Sequence, residues 1–191
     1  MQQFRNNDLN GYLNKGDIWL FGYGSLIWRP DFPFVQRQLA VVDGWVRKFW
    51  QGSHDHRGVP EAPGRVVTLM PEVDQQCAGI AFKIDPRDAR EIFNALDYRE
   101  KNGYERHLAP CLLVEEALTV ECVFYVATEA NPAYLGPAPL AEIARHINGS
   151  SGPSGSNRDY LLQLAVALRN LNVCDEHVFA LEREVLSLQA T

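Results

Sequence analysis

The hydrophobic residues of this chain change their period near residue 127, and this change limits the fold more than any other feature. Before it, most apolar segments are short, rich in β-branched and aromatic residues, and bounded by Gly, Pro or Asp, which is typical of strands. After it, apolar residues recur every three or four positions, as they do on one face of a helix. The sequence therefore predicts a β-rich core followed by a helical C-terminal part.

The first two thirds of the chain contain six predicted strands and one helix. The strands are predicted over Asp17–Tyr23, Leu39–Trp50, Gly64–Met70, Cys77–Ile84, Arg106–Val114 and Leu118–Ala127. The helix begins after Asp85-Pro86, which supplies an N-cap and a first-turn proline, and Asn102-Gly103 stops it.

Three helical patterns follow, over residues 140–147, 161–168 and 178–188. A loop is predicted over Asn148–Ser156, where most residues tolerate unusual backbone angles. Because this loop is short and the next helix is strongly amphipathic, we expect a helical tail packed on the core. Residues 17–191 are accordingly predicted to form a single α+β domain after an N-terminal extension over residues 1–16.

Charge and hydropathy exclude two classes of partner. The 191 residues include 18 Lys and Arg against 24 Asp and Glu, a net charge of −6, and the basic residues are scattered. Nucleic acid is therefore not an expected partner. The longest apolar stretches have only a few residues, where a bilayer needs about 20, and Met1–Asn14 is too polar for a signal core. We expect a soluble cytoplasmic protein with no membrane partner.

The four cysteines are widely spaced, with no Cys-x-x-Cys pair that would indicate a zinc site or a redox dithiol. They are Cys77, Cys111, Cys122 and Cys174. The first three lie in strand-like apolar sequence and are expected to be reduced and buried.

The segment Phe21–Leu26 is the most unusual local sequence and follows a predicted strand directly. Its glycines at 22 and 24 allow the backbone to approach a ligand and to turn N–H groups toward one anionic oxygen, although the same pattern also suits an ordinary tight turn. A dinucleotide fingerprint would need glycine where Ile27 stands. A nucleophile elbow would need a glycine two residues after Ser25.

A second candidate site lies at the end of the first predicted helix, over Asp97–Tyr104. A carboxylate at a helix C-terminus faces the negative end of the dipole, which raises its pKa, and burial beside Tyr98 and Tyr104 would raise the pKa further. Such a carboxylate suits a general base. The same sequence is also common on solvated helix ends.

Two isolated features have weaker functional interpretations. His54 and His56 flank Asp55 in a Gly- and Ser-rich loop, but no third metal ligand stands near them in sequence, so no metal is expected. Arg65 is a lone cation among apolar strand residues. It is either an edge-strand charge in solvent or a partner for an anionic substrate group.

Several longer motifs carry a resemblance to a known family. They are Phe21–Trp28, Phe49–Ser53, Asp55–Pro60, Pro63–Leu69, Arg99–Tyr104, Tyr134–Leu140 and Gly152–Gly155. In this order they resemble the ChaC family of glutathione-specific γ-glutamylcyclotransferases, from about Asp17 to Val185. One departure is Asn102, where glycine is expected, and Asn also tolerates the left-handed conformation of a helix stop.

This resemblance implies an α+β fold of the γ-glutamylcyclotransferase type, a small mixed β-barrel flanked by helices. It implies an enzyme that splits glutathione into 5-oxoproline and cysteinylglycine without metal or cofactor. The substrate-binding loop of the family maps onto Leu20, Phe21, Gly22, Tyr23, Gly24 and Ser25. Its catalytic carboxylate maps onto Glu100, and Arg65 is a weaker candidate for holding a glutathione carboxylate.

The chemistry fits that mapping, because the α-amine of a γ-glutamyl group can attack its own γ-carbonyl and needs only a proton acceptor. Two alternatives stay open at this point. In the first, the enzyme cyclises another γ-glutamyl amino acid or amine instead of glutathione. In the second, the chain is a non-catalytic regulator of cation transport, which predicts an exposed apolar patch and no need for Glu100.

Overall fold

The computed structural model describes residues 6–14, 16–100 and 102–188 and shows a mixed α+β protein with a closed five-stranded barrel. In chain order the elements are α1 (Asn6–Leu13), β1 (Ile18–Gly22), a 3-10 turn (Ser25–Ile27), β2 (Gln36–Ser53), β3 (Gly64–Ile84), α2 (Pro86–Arg99), β4 (Glu105–Leu113), β5 (Leu118–Val126), α3 (Leu140–Gly149), β6 (Ser151–Gly152), β7 (Gly155–Ser156), α4 (Asn157–Asn170) and α5 (Glu176–Ser187). The predicted α+β class and the small mixed barrel are confirmed.

The barrel has the strand order β1-β3-β2-β4-β5, and its mixed character comes from β1. This strand runs antiparallel to β3 and parallel to β5, where Trp19 is the register partner of Cys122. All five residues of β1 are buried, which explains why the strand is one continuous apolar run instead of an alternating one. The buried strand fixes the start of the loop that follows Gly22.

The chain forms two compact units. Unit 1 holds the described residues up to Val46 together with Pro71–Thr128, and unit 2 holds Arg47–Met70 and the described residues from Glu129 onward. In unit 1, Phe21 and Phe124 are fully buried and meet edge to face, with ring centroids 6.2 Å apart. In unit 2, helices α3, α4 and α5 pack on one another through their buried apolar faces.

Helix α2 forms as the sequence predicts. Asp85 caps it by accepting a 2.8 Å hydrogen bond from the Arg87 N–H, and Pro86 is its first residue. Its apolar positions, Ala89, Ile92, Phe93 and Leu96, are all buried. The left-handed residue after the helix is Gly103, with φ 84°, so Asn102 does not have to adopt this conformation.

The structure corrects one strand prediction. The strands predicted over Gly64–Met70 and Cys77–Ile84 are two parts of the single strand β3. The residues between them, Pro71–Gln76, are all exposed and mostly polar, so their sequence lacks the alternation of a half-buried strand.

The predicted N-terminal extension contains helix α1, which the polar sequence did not indicate. Tyr12 anchors it in unit 1, because its hydroxyl donates to the Glu121 carbonyl at 2.8 Å and accepts from the Trp19 N–H at 2.8 Å. The thiols of Cys77, Cys111 and Cys122 are buried, as predicted, Cys174 is exposed, and none of these four cysteines forms a disulfide. None of the described helices is long and apolar enough to cross a membrane.

Candidate active site

The loop after β1 is a tight backbone turn that requires glycine. A Cβ atom on Gly22 would lie 2.6 Å from the Leu26 Cβ, closer than side chains approach one another. The 3-10 turn that follows is closed by hydrogen bonds from Ile27 N–H to Gly24 C=O at 3.0 Å and from Arg29 N–H to Ser25 C=O at 2.8 Å. The loop backbone is therefore held in one conformation.

Three consecutive N–H groups of this loop, those of Gly24, Ser25 and Leu26, donate to no acceptor within the described part of the chain. All three residues are half-buried. An amide buried away from water without an acceptor costs the free energy of a hydrogen bond, whereas a half-buried one is satisfied by water or by a bound group. Neighbouring amides of this kind can hold a carboxylate or a developing oxyanion.

Arg99, the last residue of α2, joins this loop to the predicted catalytic carboxylate. Its Nη2 donates to the Ser25 Oγ at 2.7 Å, and its Nε lies 3.5 Å from the Glu100 Oε1. The structure thus brings Ser25 and Glu100 to the same guanidinium, although 74 residues separate Ser25 from Arg99 in sequence.

Glu100 is the C-cap residue of α2, and its N–H donates to the Leu96 carbonyl at 2.8 Å. Its carboxylate is 23% exposed, partly covered but open to solvent. The predicted burial beside Tyr98 is wrong, because Tyr98 is 73% exposed. The Glu100 Oε1 forms an ion pair with the Arg99 Nε at 3.5 Å.

Asp97, one turn before Glu100, belongs to a separate hydrogen-bond network. The Tyr125 hydroxyl donates to its Oδ1 at 2.7 Å, and the Arg106 Nε lies 3.4 Å from the same oxygen. Burial, and then the Asp97 carboxylate, raise the pKa of Tyr125 far above its ordinary value, so this hydroxyl stays a donor. The Tyr23 hydroxyl in turn donates to the Tyr125 carbonyl at 2.6 Å.

Sequence reasoning missed the roles of Arg106 and Tyr125 in this network. The two residues lie directly opposite each other in the β4–β5 ladder, 19 positions apart in sequence. No local motif marks such a pair. Only the strand register, which places both side chains toward the end of α2, makes them neighbours of Asp97.

A family model described as ChaC-like protein matches residues 18–188, which is nearly the whole chain. The chain belongs to the ChaC-like family. The ChaC-like match begins at the first residue of β1, so it includes the loop, the end of α2 and all of unit 2.

Curated relatives of the ChaC-like chain agree with this assignment. It is 41% identical over 175 residues to γ-glutamylcyclotransferase 2-3 of Arabidopsis thaliana, an alignment that covers 88% of each chain. It is 39% identical over 178 residues to glutathione-specific γ-glutamylcyclotransferase 1 of Danio rerio, covering 91% of each. A crystal structure of the γ-glutamylcyclotransferase specific to glutathione from yeast superimposes with a TM-score of 0.85 at 31% identity, covering 91% of this chain and 97% of the yeast one.

Arg65 of this ChaC-like chain lies in unit 2, where it is 5% exposed. Its Nη1 donates to the carbonyls of Phe49 and Gly136, both at 3.0 Å, and its Nε lies 3.4 Å from the His146 Nδ1. Burial lowers the pKa of the guanidinium. These contacts favour a structural role for Arg65, and its assignment to a substrate carboxylate stays a proposal.

The His54–His56 loop also lies in unit 2. The His56 Nδ1 is 3.0 Å from the Ser154 Oγ, and its Nε2 is 3.9 Å from the Asp55 carboxylate. Across residues 6–14, 16–100 and 102–188, no group of three or more His, Cys, Asp or Glu side chains is arranged to hold a metal ion.

Proposed function

We propose that the chain is a γ-glutamylcyclotransferase that splits reduced glutathione into 5-oxoproline and cysteinylglycine. The curated relatives support this activity, since several carry the name glutathione-specific γ-glutamylcyclotransferase. The observation that carries the proposal is the Arg99 guanidinium, which contacts both Ser25 of the loop and the Glu100 carboxylate. This shared contact supports a site in which loop donors bind an anionic group and Glu100 accepts a proton.

The reaction needs no external nucleophile. The α-amine of the γ-glutamyl group attacks its own γ-carbonyl carbon, and the new C–N bond closes a five-membered ring. The γ-carbonyl oxygen becomes an oxyanion. When the carbonyl re-forms, the bond to the cysteine nitrogen breaks, and this nitrogen needs a proton to leave as an amine.

Glu100 is the proposed general acid and base of this reaction. Its carboxylate accepts a proton from the attacking α-amine and delivers it to the departing cysteine nitrogen, so protons balance over one turnover. Asp97 is less suited to this task, because Tyr125 and Arg106 already contact its Oδ1. The exposed fraction of Glu100 leaves it accessible to a substrate.

The loop over residues 20–25 is the proposed binding segment, with Leu20, Phe21, Gly22 and Tyr23 setting its position and Gly24 and Ser25 supplying donors. Its N–H groups would hold the substrate α-carboxylate or the oxyanion, an effect of about 3 kcal/mol for one such donor. The side chains of Leu20, Phe21 and Tyr23 are buried in the core, and this burial fixes the position of the loop backbone.

Ser25 is a hydrogen-bonding residue in this proposal, not a nucleophile. A serine nucleophile needs a neighbouring base to take its proton. The polar side chain in contact with its Oγ is the Arg99 guanidinium, which donates to this oxygen and cannot act as that base.

Reduced glutathione and a cytoplasmic location are proposed together. None of the four cysteines forms a disulfide, which supports a reducing compartment. The acidic net charge of −6 and the scattered basic residues support the absence of a nucleic-acid partner.

The direct test incubates the purified, metal-free protein with reduced glutathione and measures 5-oxoproline and cysteinylglycine in equal amounts. We expect both products and a higher kcat/KM than for γ-glutamylalanine, since the remote cysteine and glycine would improve the orientation of the reacting end. Equal or better turnover of γ-glutamylalanine would retain the cyclisation but reject the preference for glutathione. Absence of 5-oxoproline with every γ-glutamyl compound would reject the proposed function.

A further inference from the structure

We infer that Arg99 is a positioning residue, which fixes the Ser25 hydroxyl as a donor toward the substrate and keeps the Glu100 carboxylate ionised before the substrate binds. This inference rests on the proposed function, because it assigns Arg99 to the same reaction. It concerns a residue that touches the proposed catalytic machinery, and it gives Arg99 no contact with the reacting atoms.

The effect on Ser25 follows from the direction of the hydrogen bond. The Arg99 Nη2 is a donor only, so the Ser25 Oγ must accept this 2.7 Å bond. The hydroxyl hydrogen consequently points away from the guanidinium. It adds a fourth donor to the N–H groups of Gly24, Ser25 and Leu26, and a bound anionic group would accept from donors of this loop.

The effect on Glu100 follows from charge. The Arg99 Nε lies 3.5 Å from the Glu100 Oε1, and the two side chains are 28% and 23% exposed, so solvent screens this pair only partly. A cation at this distance favours the ionised carboxylate, the form that accepts a proton. A protonated Glu100 would have to lose its proton before it could act as the base.

Other charged and titratable groups also lie at this end of α2. Asp97 is on the same helix, and Arg106 on β4 forms an ion pair with it. Burial, and then the charges of Asp97 and Glu100, raise the pKa of Tyr125 on β5. In the segment before β2, the Asp31 Oδ2 is 3.9 Å from the Arg99 Nη1. Of the described cations, Arg99 is the one that forms an ion pair with Glu100, which makes it the residue to substitute.

Arg87 offers a matched control on the same helix. Its side chain is 87% exposed and its ion pair is with Asp85, in the first turn of α2. It has the same chemistry as Arg99 without contact to the loop or to Glu100. If Arg99 contributed only to the stability of α2, Arg99→Gln and Arg87→Gln would have similar effects on turnover.

The experiment compares Arg99→Gln, Arg99→Lys and Arg87→Gln with wild type and with Glu100→Gln. For each, kcat and KM for reduced glutathione are measured from pH 5 to 9, together with thermal unfolding. We expect Arg99→Gln to lower kcat/KM by about tenfold or more and to move the acidic limb of its pH profile upward. Arg87→Gln should match wild type in rate and in profile.

The lysine variant separates the two effects of Arg99. Lysine restores a point charge but not the planar fork that reaches two partners. Arg99→Lys should therefore return the acidic limb toward wild type while KM stays raised. A role in stability alone would lower the unfolding temperature without moving the pH profile.

The outcomes distinguish this inference from the proposed function. If Glu100→Gln is inactive while Arg99→Gln keeps kcat/KM within twofold and an unmoved acidic limb, the inference is rejected and the proposed function stands. Wild-type turnover by Glu100→Gln would reject this inference together with the assignment of Glu100 as the acid and base, whereas the cyclotransferase activity itself would stand.

Discussion

Glu100 and Arg65 are two charged residues that the sequence marks as functional candidates, and the structure places them in very different surroundings. Glu100 follows the last residue of helix α2 in unit 1, is 23% exposed and has the Arg99 Nε 3.5 Å from its Oε1. Arg65 lies in unit 2, is 5% exposed, and contacts two backbone carbonyls and a histidine nitrogen.

This difference indicates what each charge is for. A buried cation that donates hydrogen bonds to protein carbonyls leaves these carbonyls without a donor when it is removed, which lowers the free energy of unfolding. A partly exposed carboxylate that shares the Arg99 guanidinium with a loop whose N–H groups have no acceptor in the described chain can meet a substrate. We therefore expect Glu100 variants to lose turnover and Arg65 variants to lose stability.

The largest expected effect is that of Glu100→Gln on turnover. Gln keeps the size of the side chain but removes the proton acceptor, so kcat for 5-oxoproline release should fall 10²–10⁴-fold, about 3 to 5 kcal/mol of barrier. The circular dichroism spectrum and the unfolding temperature should stay close to wild type.

Glu105→Gln is the matched control, since Glu105 is the first residue of β4 and makes no ion pair with another described residue. It should keep wild-type turnover. A folded Glu100→Gln protein that works within a few-fold of wild type would show that the proton acceptor lies elsewhere.

Arg65→Met should act on stability instead. Met has a similar length but cannot donate, so the carbonyls of Phe49 and Gly136 would lose their bonds to this side chain. Each buried carbonyl left without a donor costs about 1–3 kcal/mol, so the free energy of unfolding in urea should fall by about 3 kcal/mol. The KM of the folded fraction should stay within twofold of wild type. A tenfold increase in KM at unchanged stability would instead support a substrate-binding role.

His177 should make the stability of unit 2 depend on pH, which the permanent charge of Arg65 does not. Its Nε2 accepts the Phe49 N–H at 3.0 Å, and burial, followed by the Lys48 charge, lowers its pKa from 6.5 to about 4. Below pH 6.5 the unfolded chain binds a proton at this residue that the folded chain does not bind. The free energy of unfolding should therefore decrease as the pH is lowered, by about 2 kcal/mol between pH 6.5 and pH 5.

This pH dependence is measured from urea unfolding at pH 7, 6 and 5. His177→Gln should flatten it, because Gln can accept the Phe49 N–H without titrating. The Arg65→Met protein should keep the wild-type slope, which separates a titrating residue from one with a permanent charge. An unchanged slope in His177→Gln would assign the acid sensitivity to other groups.

The smallest expected effect is that of Ser25→Ala. The change removes one hydroxyl donor from the loop and the acceptor of the Arg99 Nη2, so substrate binding should weaken by about 1 kcal/mol, seen as a KM raised about fivefold. Most of kcat should remain. A covalent γ-glutamyl adduct on Ser25, found by mass spectrometry of the quenched enzyme, would restore a serine mechanism.

Much of the fold and part of the site follow from local sequence. Asp85, Pro86 and the apolar spacing of α2 specify that helix, because capping and amphipathic burial act over a few residues. The glycine at 22 specifies the tight turn for the same reason. The joining of Gly64–Met70 to Cys77–Ile84 was not predictable, because exposed polar strand residues have no periodic pattern.

The sequence by itself determined the change from strands to helices, the turn after β1 and the carboxylate at the end of α2. It identified the family through motifs spread over the chain. Only the tertiary structure decided which charges meet. Arg99 contacts Ser25, Tyr125 contacts Asp97, and Arg65 contacts Gly136, across 74, 28 and 71 positions of sequence. Such contacts depend on strand register and packing, which sum many weak interactions along the chain, and no local pattern encodes them.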